Sequence, residues 1–408
     1  IGLGIPAEPL FRSRDREADK KLKDLEERIY AAGNSARQAY FSEMVTCALY
    51  EEDFDTQIEN AKKIIEKFRY DEQYCPQAYF VRGTIYGKNG KYEMAINDFT
   101  EAIIRNPKDA DAYISRGNSY GNKGDYDQAI KDFTEAINLI PDNANAYIGR
   151  GVIYLRKGYF DKAIEDYTKA ITISSESSIA YNNRGLSRYH REEYDDAIED
   201  CNAAIRINPN SFDAYNIRGL SYDSKSDKNN AIADFSEALK KAQKVQDFVL
   251  AFSNRGLSYY HNGEYGKAIN DCTWAIQIDS DCVEAYNTRG LSYDKEGKYD
   301  KAIENFTEAI KRKPDYYRAI VNRSYSYFNN GDHEKALDDS TEAIKINPND
   351  CFVYNKRCEV FMKLLRWDDA LNDAKKGMKI AIRERKEDYV AVFNQIINEI
   401  DKTHKAQK

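Results

Sequence analysis

Apolar and polar residues follow helical spacing along most of the chain, in paired blocks that recur. One clear pair has its first block over 283–296, and its second block begins near Tyr299. Apolar residues three or four positions apart lie on one side of a helix. In the second block they are Ala302, Ile303, Phe306, Ala309 and Ile310. Gly297 separates the blocks, and a glycine just past a helix end takes the left-handed conformation without steric cost. The pattern predicts two amphipathic helices joined by a tight turn.

The block pair recurs with a fixed period of 34 residues. We use nine register positions to mark it: Gly83, Gly117, Gly151, Gly185, Gly219, Gly256, Gly290, Ser324 and Cys358. Twelve residues after each register position stands an alanine, and an aromatic residue precedes eight of the nine by four. One step is 37 residues long, which predicts a lengthened second helix and loop near 240–248. Because a single pair cannot bury its apolar face, neighbouring pairs are expected to stack.

Proline closes the second block in five copies, at Pro107, Pro141, Pro209, Pro314 and Pro348. Together the period, the small residues, the aromatic columns and the exit proline resemble the tetratricopeptide repeat family over 76–382. The chain has tyrosine where that family usually has tryptophan, and arginine where it usually has leucine. The resemblance implies an all-α solenoid, a right-handed superhelix of about nine to ten helix–turn–helix units with terminal capping helices. It also implies a concave groove, lined by the first helices, that holds a peptide or protein segment.

The same patterns divide the chain into four parts. Residues 1–33 are expected to form an N-terminal arm and a helix that ends at Gly33, and 34–75 a degenerate helix pair. Residues 76–383 are expected to form nine tandem units, the ninth degenerate, and 384–408 a C-terminal capping helix and tail.

Composition narrows the class of partner. The chain carries a net charge of −7, which argues against nucleic acid or an anionic membrane surface as the main partner. No apolar run approaches the roughly 20 residues that a membrane helix needs, so no membrane insertion is expected. The seven cysteines contain no CxxC pair and favour a reducing compartment, hence a cytoplasmic location. A signal peptide removed upstream of Ile1 is an open alternative.

An arginine stands directly before every register position. Sixteen residues after the arginine comes an aspartate in eight copies, with Asn305 as the exception. We interpret the pairs as arginine–aspartate bridges between the two helices of each unit, because partly buried arginines need acidic partners. The alternative is a ladder of arginines that faces an acidic ligand.

The candidate ligand residues lie in columns beside the packing positions: Asn182, Asn183, Leu186, Asn216, Leu220, Asp223, Asn254, Leu257, Asn287, Leu291 and Asp294. Asparagine amides both donate and accept hydrogen bonds, which suits an extended peptide backbone, and the leucines offer apolar pockets. Solvated polar positions beside core leucines are the alternative. If the groove hypothesis holds, alanine at Asn216 and Asn287 weakens ligand binding without lowering the melting temperature.

One of the columns that family members use to clamp a terminal carboxylate holds Phe80, Ile114 and Ile148, so that mechanism is not expected. No catalytic site, metal site or cofactor is predicted either. The four histidines are scattered, and His190 and His261 share a column but lie two units apart. The chain also lacks a glycine-rich phosphate loop.

Two functions follow from the sequence. The main hypothesis is a non-enzymatic protein–protein interaction scaffold that binds a peptide or protein segment in its groove. The alternative is a structural assembly protein, a homo-oligomer that self-associates through its terminal units or through the face that carries Trp274.

Overall fold

The computed structural model describes residues 33–51 and 53–406, and all regular structure within these ranges is α-helical. The chain divides into two compact units, 1–180 and 181–408. The arm and helix expected over residues 1–32 lie outside the described residues. Gly33, expected to end that helix, is itself helical together with 34–50.

The described part of the first unit is a run of helices that pack in sequence order. They are α1 (33–50), α2 (Phe54–Lys67), α3 (Tyr74–Lys88), α4 (Tyr92–Arg105), α5 (Ala110–Lys123), α6 (Tyr126–Leu139), α7 (Ala144–Arg156) and α8 (Phe160–Ile173). From α3 onward, an odd-numbered helix is the first of its pair and the even-numbered helix after it is the second. The two helices of a pair contact each other along their length, and within this unit α4 also packs against α5, and α6 against α7.

The second unit continues the same arrangement and starts within α9 (Ser178–His190). Its further helices are α10 (Tyr194–Ile207), α11 (Phe212–Ser224), α12 (Lys228–Lys241), α13 (Val245–His261), α14 (Tyr265–Ile278), α15 (Val283–Lys295), α16 (Tyr299–Arg312), α17 (Tyr317–Asn329), α18 (His333–Ile346), α19 (Cys351–Lys363), α20 (Trp367–Arg383) and α21 (Glu387–Ala406). The predicted all-α architecture of tandem helix pairs is confirmed.

Small residues let the two helices of each pair approach closely. All nine alanines of the alanine column are fully buried. A Cβ atom added at Gly290 would lie 2.6 Å from Cε1 of Phe306, and one at Gly151 would lie 2.8 Å from Cε1 of Tyr167. Any larger residue at these glycines would therefore push the aromatic ring out of the core, which explains why a poor helix former is kept there.

The turns within the pairs require a left-handed residue. Gly124, Gly297 and the equivalent glycines have φ between 71° and 93°. Three other turns place Glu192, Ser226 and Leu365 in the same position at φ values of 57° to 66°. An L-residue with a side chain is strained by roughly 1–2 kcal/mol in this conformation.

The 37-residue step is accommodated differently from our expectation. The second helix α12 has 14 residues, like the other second helices from α4 to α18. Instead the first helix of the next pair, α13, is lengthened to 17 residues at its N-terminal end. The reason is a new helix start, where the carboxylate of Asp247 accepts hydrogen bonds from the backbone N–H groups of Gln243 and Lys244 at 3.2 and 3.1 Å.

Candidate functional site

The register arginines are structural clamps and do not form a ligand ladder. In eight registers the guanidinium donates two hydrogen bonds to the predicted aspartate; Arg150 reaches Asp166 at 2.9 Å through Nε and 2.8 Å through Nη2. In the ninth, Nε of Arg289 donates to Oδ1 of Asn305 at 2.7 Å. The other pairs are Arg82–Asp98, Arg116–Asp132, Arg184–Asp200, Arg218–Asp234, Arg255–Asp271, Arg323–Asp339 and Arg357–Asp373. The predicted bridge between the helices of a unit is confirmed.

At least seven of the nine clamps also donate a hydrogen bond to the preceding pair, a contact that our sequence reasoning missed. Nη1 of Arg150 donates to the hydroxyl of Thr134 on α6 at 3.0 Å, and the guanidinium lies 5.7 Å from the centre of the Tyr147 ring. The arginine therefore joins three helices, α6, α7 and α8. The sequence does contain the signal, because a hydroxyl residue follows the aspartate by two positions in most copies.

The buried aspartates of these clamps need the arginine to compensate their negative charge. Burial raises the pKa of Asp166, although its hydrogen bonds from Arg150 act in the opposite direction. Removing one partner of such a pair leaves an uncompensated buried charge, which costs about 3–5 kcal/mol. This cost accounts for the regular pairing of a buried aspartate with an arginine.

The first helices of successive pairs lie next to one another along one side of the stack. In the second unit, α11, α13, α15, α17 and α19 each contact the next first helix, whereas the described second helices do not contact each other. The side formed by these first helices carries the predicted ligand columns. We refer to it as the first-helix face.

Two of the predicted asparagines are tied into this face more tightly than we expected. Asn216 and Asn287 are each 7 % exposed. The Oδ1 atom of Asn216 accepts from Nδ2 of Asn254 at 2.9 Å, and that of Asn287 accepts from Nδ2 of Asn322 at 2.9 Å. The amide pairs join α11 to α13 and α15 to α17, so part of the hydrogen-bonding capacity predicted for a ligand is used between neighbouring first helices.

The two predicted aspartates also join α11 to α13 and α15 to α17. Asp223 accepts a hydrogen bond from Ser258 at 2.6 Å, and Asp294 accepts one from Ser326 at 2.6 Å. Asp223 has two further neighbours, His261 and Lys228, each 3.2 Å from Oδ2. Burial raises the pKa of Asp223, but the hydrogen bonds from His261 and Ser258 and the nearby Lys228 ammonium outweigh burial and hold the pKa below its usual value. At Asp294 burial outweighs the hydrogen bond from Ser326 and raises the pKa.

The remaining predicted residues are half-buried on the same face: Asn182, Asn183, Leu186, Leu220, Asn254, Leu257 and Leu291. The Oδ1 atom of Asn182 is buried and has no hydrogen-bond partner among the described residues. The donor position of the next unit, which is Asn254 or Asn322 elsewhere, is Ile217 there. Asn182 therefore keeps an acceptor that neighbouring helices leave unsatisfied.

The first unit has an open cavity in the corresponding columns, which our candidate residues did not include. It has a volume of about 390 Å³ and lies between α5 and α7. Ile114, Ile148 and Val152 form apolar parts of its lining, with Asn118 and Arg156 beside them. Gly149 also belongs to the lining, and a Cβ atom there would lie 2.3 Å from Cε1 of Phe133, so this glycine lets α7 pack closely on that ring.

Other chemistry is not evident in the described ranges. They hold no cluster of three or more His, Cys, Asp and Glu side chains that could bind a metal ion. Within them no helix is both long and apolar enough to cross a membrane. Trp274 is 56 % exposed on the second helix α14, away from the first-helix face.

Comparison with solved structures indicates the fold alone. The APC/C hetero-tetramer Cut9-Hcn1 matches with a TM-score of 0.52 and 11 % identity, over 90 % of this chain and 88 % of that chain. A tetratricopeptide repeat protein from Parabacteroides merdae matches with a TM-score of 0.49 and 17 % identity, over 65 % and 98 %. Yeast Tom70 matches with a TM-score of 0.48 and 12 % identity, over 89 % and 96 %. The search of curated proteins finds no match.

Family models give the assignment. Models described as tetratricopeptide repeat match 76–109, 99–131, 144–177, 178–211, 212–243, 249–282, 283–316 and 317–350, and one described as TPR repeat matches 117–158. Together they cover 76–350 except for 244–248, which belongs to the inserted segment before and within α13. The chain therefore belongs to the tetratricopeptide repeat family, whose repeats build scaffolds for protein interactions.

Proposed function

We propose that this protein is a non-enzymatic interaction scaffold that holds an extended peptide segment of a protein partner against the first-helix face of its second unit. The observation that carries the proposal is a repeated station. On α11 the residues Asn216, Leu220 and Asp223 lie at positions i, i+4 and i+7, and Asn287, Leu291 and Asp294 repeat this spacing on α15. Residues at this spacing share one side of a helix.

Each station combines a half-buried leucine with polar groups that its neighbours hold in place. The Asn216–Asn254 and Asp223–Ser258 hydrogen bonds fix the side chains on both sides of Leu220. A preorganised site loses less side-chain entropy on binding than a mobile one. The leucine supplies apolar area, and the half-buried amide of Asn254 has hydrogen-bonding capacity beyond its bond to Asn216 that a peptide backbone can use.

The test uses a phage-displayed random peptide library, which presents many extended segments at once. Peptides selected on the wild-type protein are measured against the double variant Leu220→Glu/Leu291→Glu. We expect at least a tenfold loss of affinity, because a carboxylate would replace the apolar contact at both stations. Trp274→Ala is the matched control and should keep wild-type affinity. Equal binding by the leucine variant would reject this face as the binding surface.

The asparagines are a poorer test than we expected from the sequence. Alanine at Asn216 or Asn287 would remove the acceptor of an interhelical hydrogen bond as well as any ligand contact. Such variants are expected to lose about 1 kcal/mol of stability, so a loss of binding would have two explanations. The half-buried leucines avoid this ambiguity.

We also propose that residues 384–408 form the capping segment. Helix α21 buries Phe393 and Ile400 against the preceding helices, at 0 % and 2 % exposure. A terminal helix with one apolar side closes a repeat stack. An end covered in this way gives little support to the alternative, self-association through the terminal units. Light scattering on the purified chain separates the two functions, since a monomer at micromolar concentration contradicts an assembly role.

A further inference from the structure

One register of the second unit departs from the clamp pattern. Three residues after the register position, the other eight copies have an aromatic residue: Tyr86, Tyr120, Tyr154, Tyr222, Tyr259, Tyr293, Tyr327 and Phe361. The clamp arginine packs against this ring, as Arg255 does on Tyr259 at 5.7 Å. In the fourth register the position is Arg188. A second guanidinium therefore stands where the sequence elsewhere supplies a ring.

Arg188 is drawn to the carboxylate that already serves the clamp. Its Nη1 atom lies 2.8 Å from Oδ2 of Asp200, while Arg184 donates to Oδ1 of the same carboxylate at 2.7 Å. The carboxylate is 2 % exposed, and the side chains of Arg184 and Arg188 are 14 % and 22 % exposed. Elsewhere one guanidinium faces one carboxylate, but here two guanidinium groups share one. This arrangement brings the N–H donors of two guanidinium groups together at one carboxylate.

The same side chains line an open pocket of about 380 Å³. Arg206 stands on its wall with an exposed side chain, and Glu199 lies on its rim. Asn202 and Tyr181 add polar groups to the lining. Three guanidinium groups and two carboxylates give the pocket a net charge of +1. Guanidinium groups bind oxyanions with two parallel N–H···O hydrogen bonds, for which an ammonium group has no equivalent geometry.

We propose that this pocket, formed by Arg184, Arg188 and Arg206, binds an oxyanion group of a ligand, a phosphate or a carboxylate. The site lies on α9 and α10 and uses none of the leucines of the two stations, so it goes beyond the proposed function. The Asp200 carboxylate holds Arg184 and Arg188 in place, and the bound oxyanion accepts hydrogen bonds from the guanidinium groups that line the pocket.

The test titrates the full chain with inorganic phosphate in one arm and sodium acetate in the other, at ionic strength held constant with sodium chloride. Isothermal calorimetry and the melting temperature report binding. The key variant is Arg188→Tyr, which restores the residue type of the other registers, leaves the Arg184–Asp200 clamp intact and should fold. We expect saturable binding by the wild-type chain and a dissociation constant at least ten times larger for the variant.

Arg318→Tyr serves as the charge control, because it removes an exposed arginine of the second unit outside the pocket. It should bind like the wild-type chain. Saturation by phosphate alone identifies a phosphate site, and saturation by acetate alone identifies a carboxylate site; both support the proposal. Equal responses of the wild-type chain and Arg188→Tyr, or no saturable binding in either arm, would overturn it. Because the leucine variants are not involved, this result is independent of the peptide-library experiment.

Discussion

The buried hydroxyl of Tyr167 offers the sharpest test of the packing described above. Tyr167 is fully buried, and its hydroxyl has no hydrogen-bond partner among the described residues. Burial accordingly raises the pKa of this phenol. The equivalent positions in other units hold Phe133, Phe235 and Phe306, all fully buried, so a phenylalanine ring fits this site. Tyr167→Phe therefore removes only the oxygen and keeps the packing.

A buried polar group without a partner costs about 1–3 kcal/mol. We expect Tyr167→Phe to raise the free energy of unfolding by about 1 kcal/mol, the lower end, because removing the oxygen also removes its van der Waals contacts with the surrounding core. Urea unfolding followed by far-UV circular dichroism measures the change. The comparison uses the shift of the midpoint, since a repeat protein need not unfold in a single step.

A second Tyr→Phe substitution serves as the control of opposite sign. The hydroxyl of Tyr317 donates to Oδ2 of Asp350 at 2.7 Å, and Asp350 also caps the N-terminus of α19. Tyr317→Phe should lower the free energy of unfolding by about 1.5 kcal/mol, since it removes a hydrogen bond to a charged group. If both substitutions lower stability, or if Tyr167→Phe leaves it unchanged, the hydroxyl of Tyr167 is not an uncompensated buried group.

Three further substitutions have expected signs. Leu365→Gly should raise the free energy of unfolding by about 1 kcal/mol and so raise the urea midpoint, because Leu365 is 70 % exposed and has a φ of 57°. An unchanged midpoint would contradict strain at this turn. At pH 7, Asp223→Asn should lower and Asp294→Asn should raise the melting temperature, because the pKa of Asp223 is lowered and that of Asp294 is raised. The stabilisation from Asp223 is lost as the pH falls through its lowered pKa, and the cost of ionised Asp294 disappears as the pH falls through its raised pKa. Melting curves at pH 7 and pH 4 test both, and equal shifts for the two variants would refute this assignment.

Contacts within one helix pair could be predicted from the sequence, because they repeat at fixed intervals. The bridge between Arg150 and Asp166 is an example: sixteen residues always separate the partners, and a buried arginine needs an acid. The close approach at Gly290 is another, since a glycine inside a helix has a cost that tight packing explains.

Contacts between neighbouring helix pairs were harder to predict, because they depend on the offset of one pair from the next. The Asn216–Asn254 bond joins residues in different columns, so aligning the columns did not suggest it. The same offset explains the unsatisfied Asn182, whose neighbour in the donor column is isoleucine. The inserted residues before α13 could lengthen either adjoining helix, and the capping carboxylate of Asp247 is the local feature that decides between them.

The three-helix reach of the clamp arginines has a consequence for how the chain loses its structure. When the pair α5–α6 opens, Arg150 on α7 loses the hydroxyl of Thr134 while Asp166 stays behind on α8. Neighbouring helix pairs are therefore coupled by polar contacts of the arginine as well as by apolar contact. This coupling raises the free energy of a boundary between an ordered pair and a disordered one. Partial melting then proceeds in blocks of several pairs at a time, and fraying of a single internal pair becomes rare.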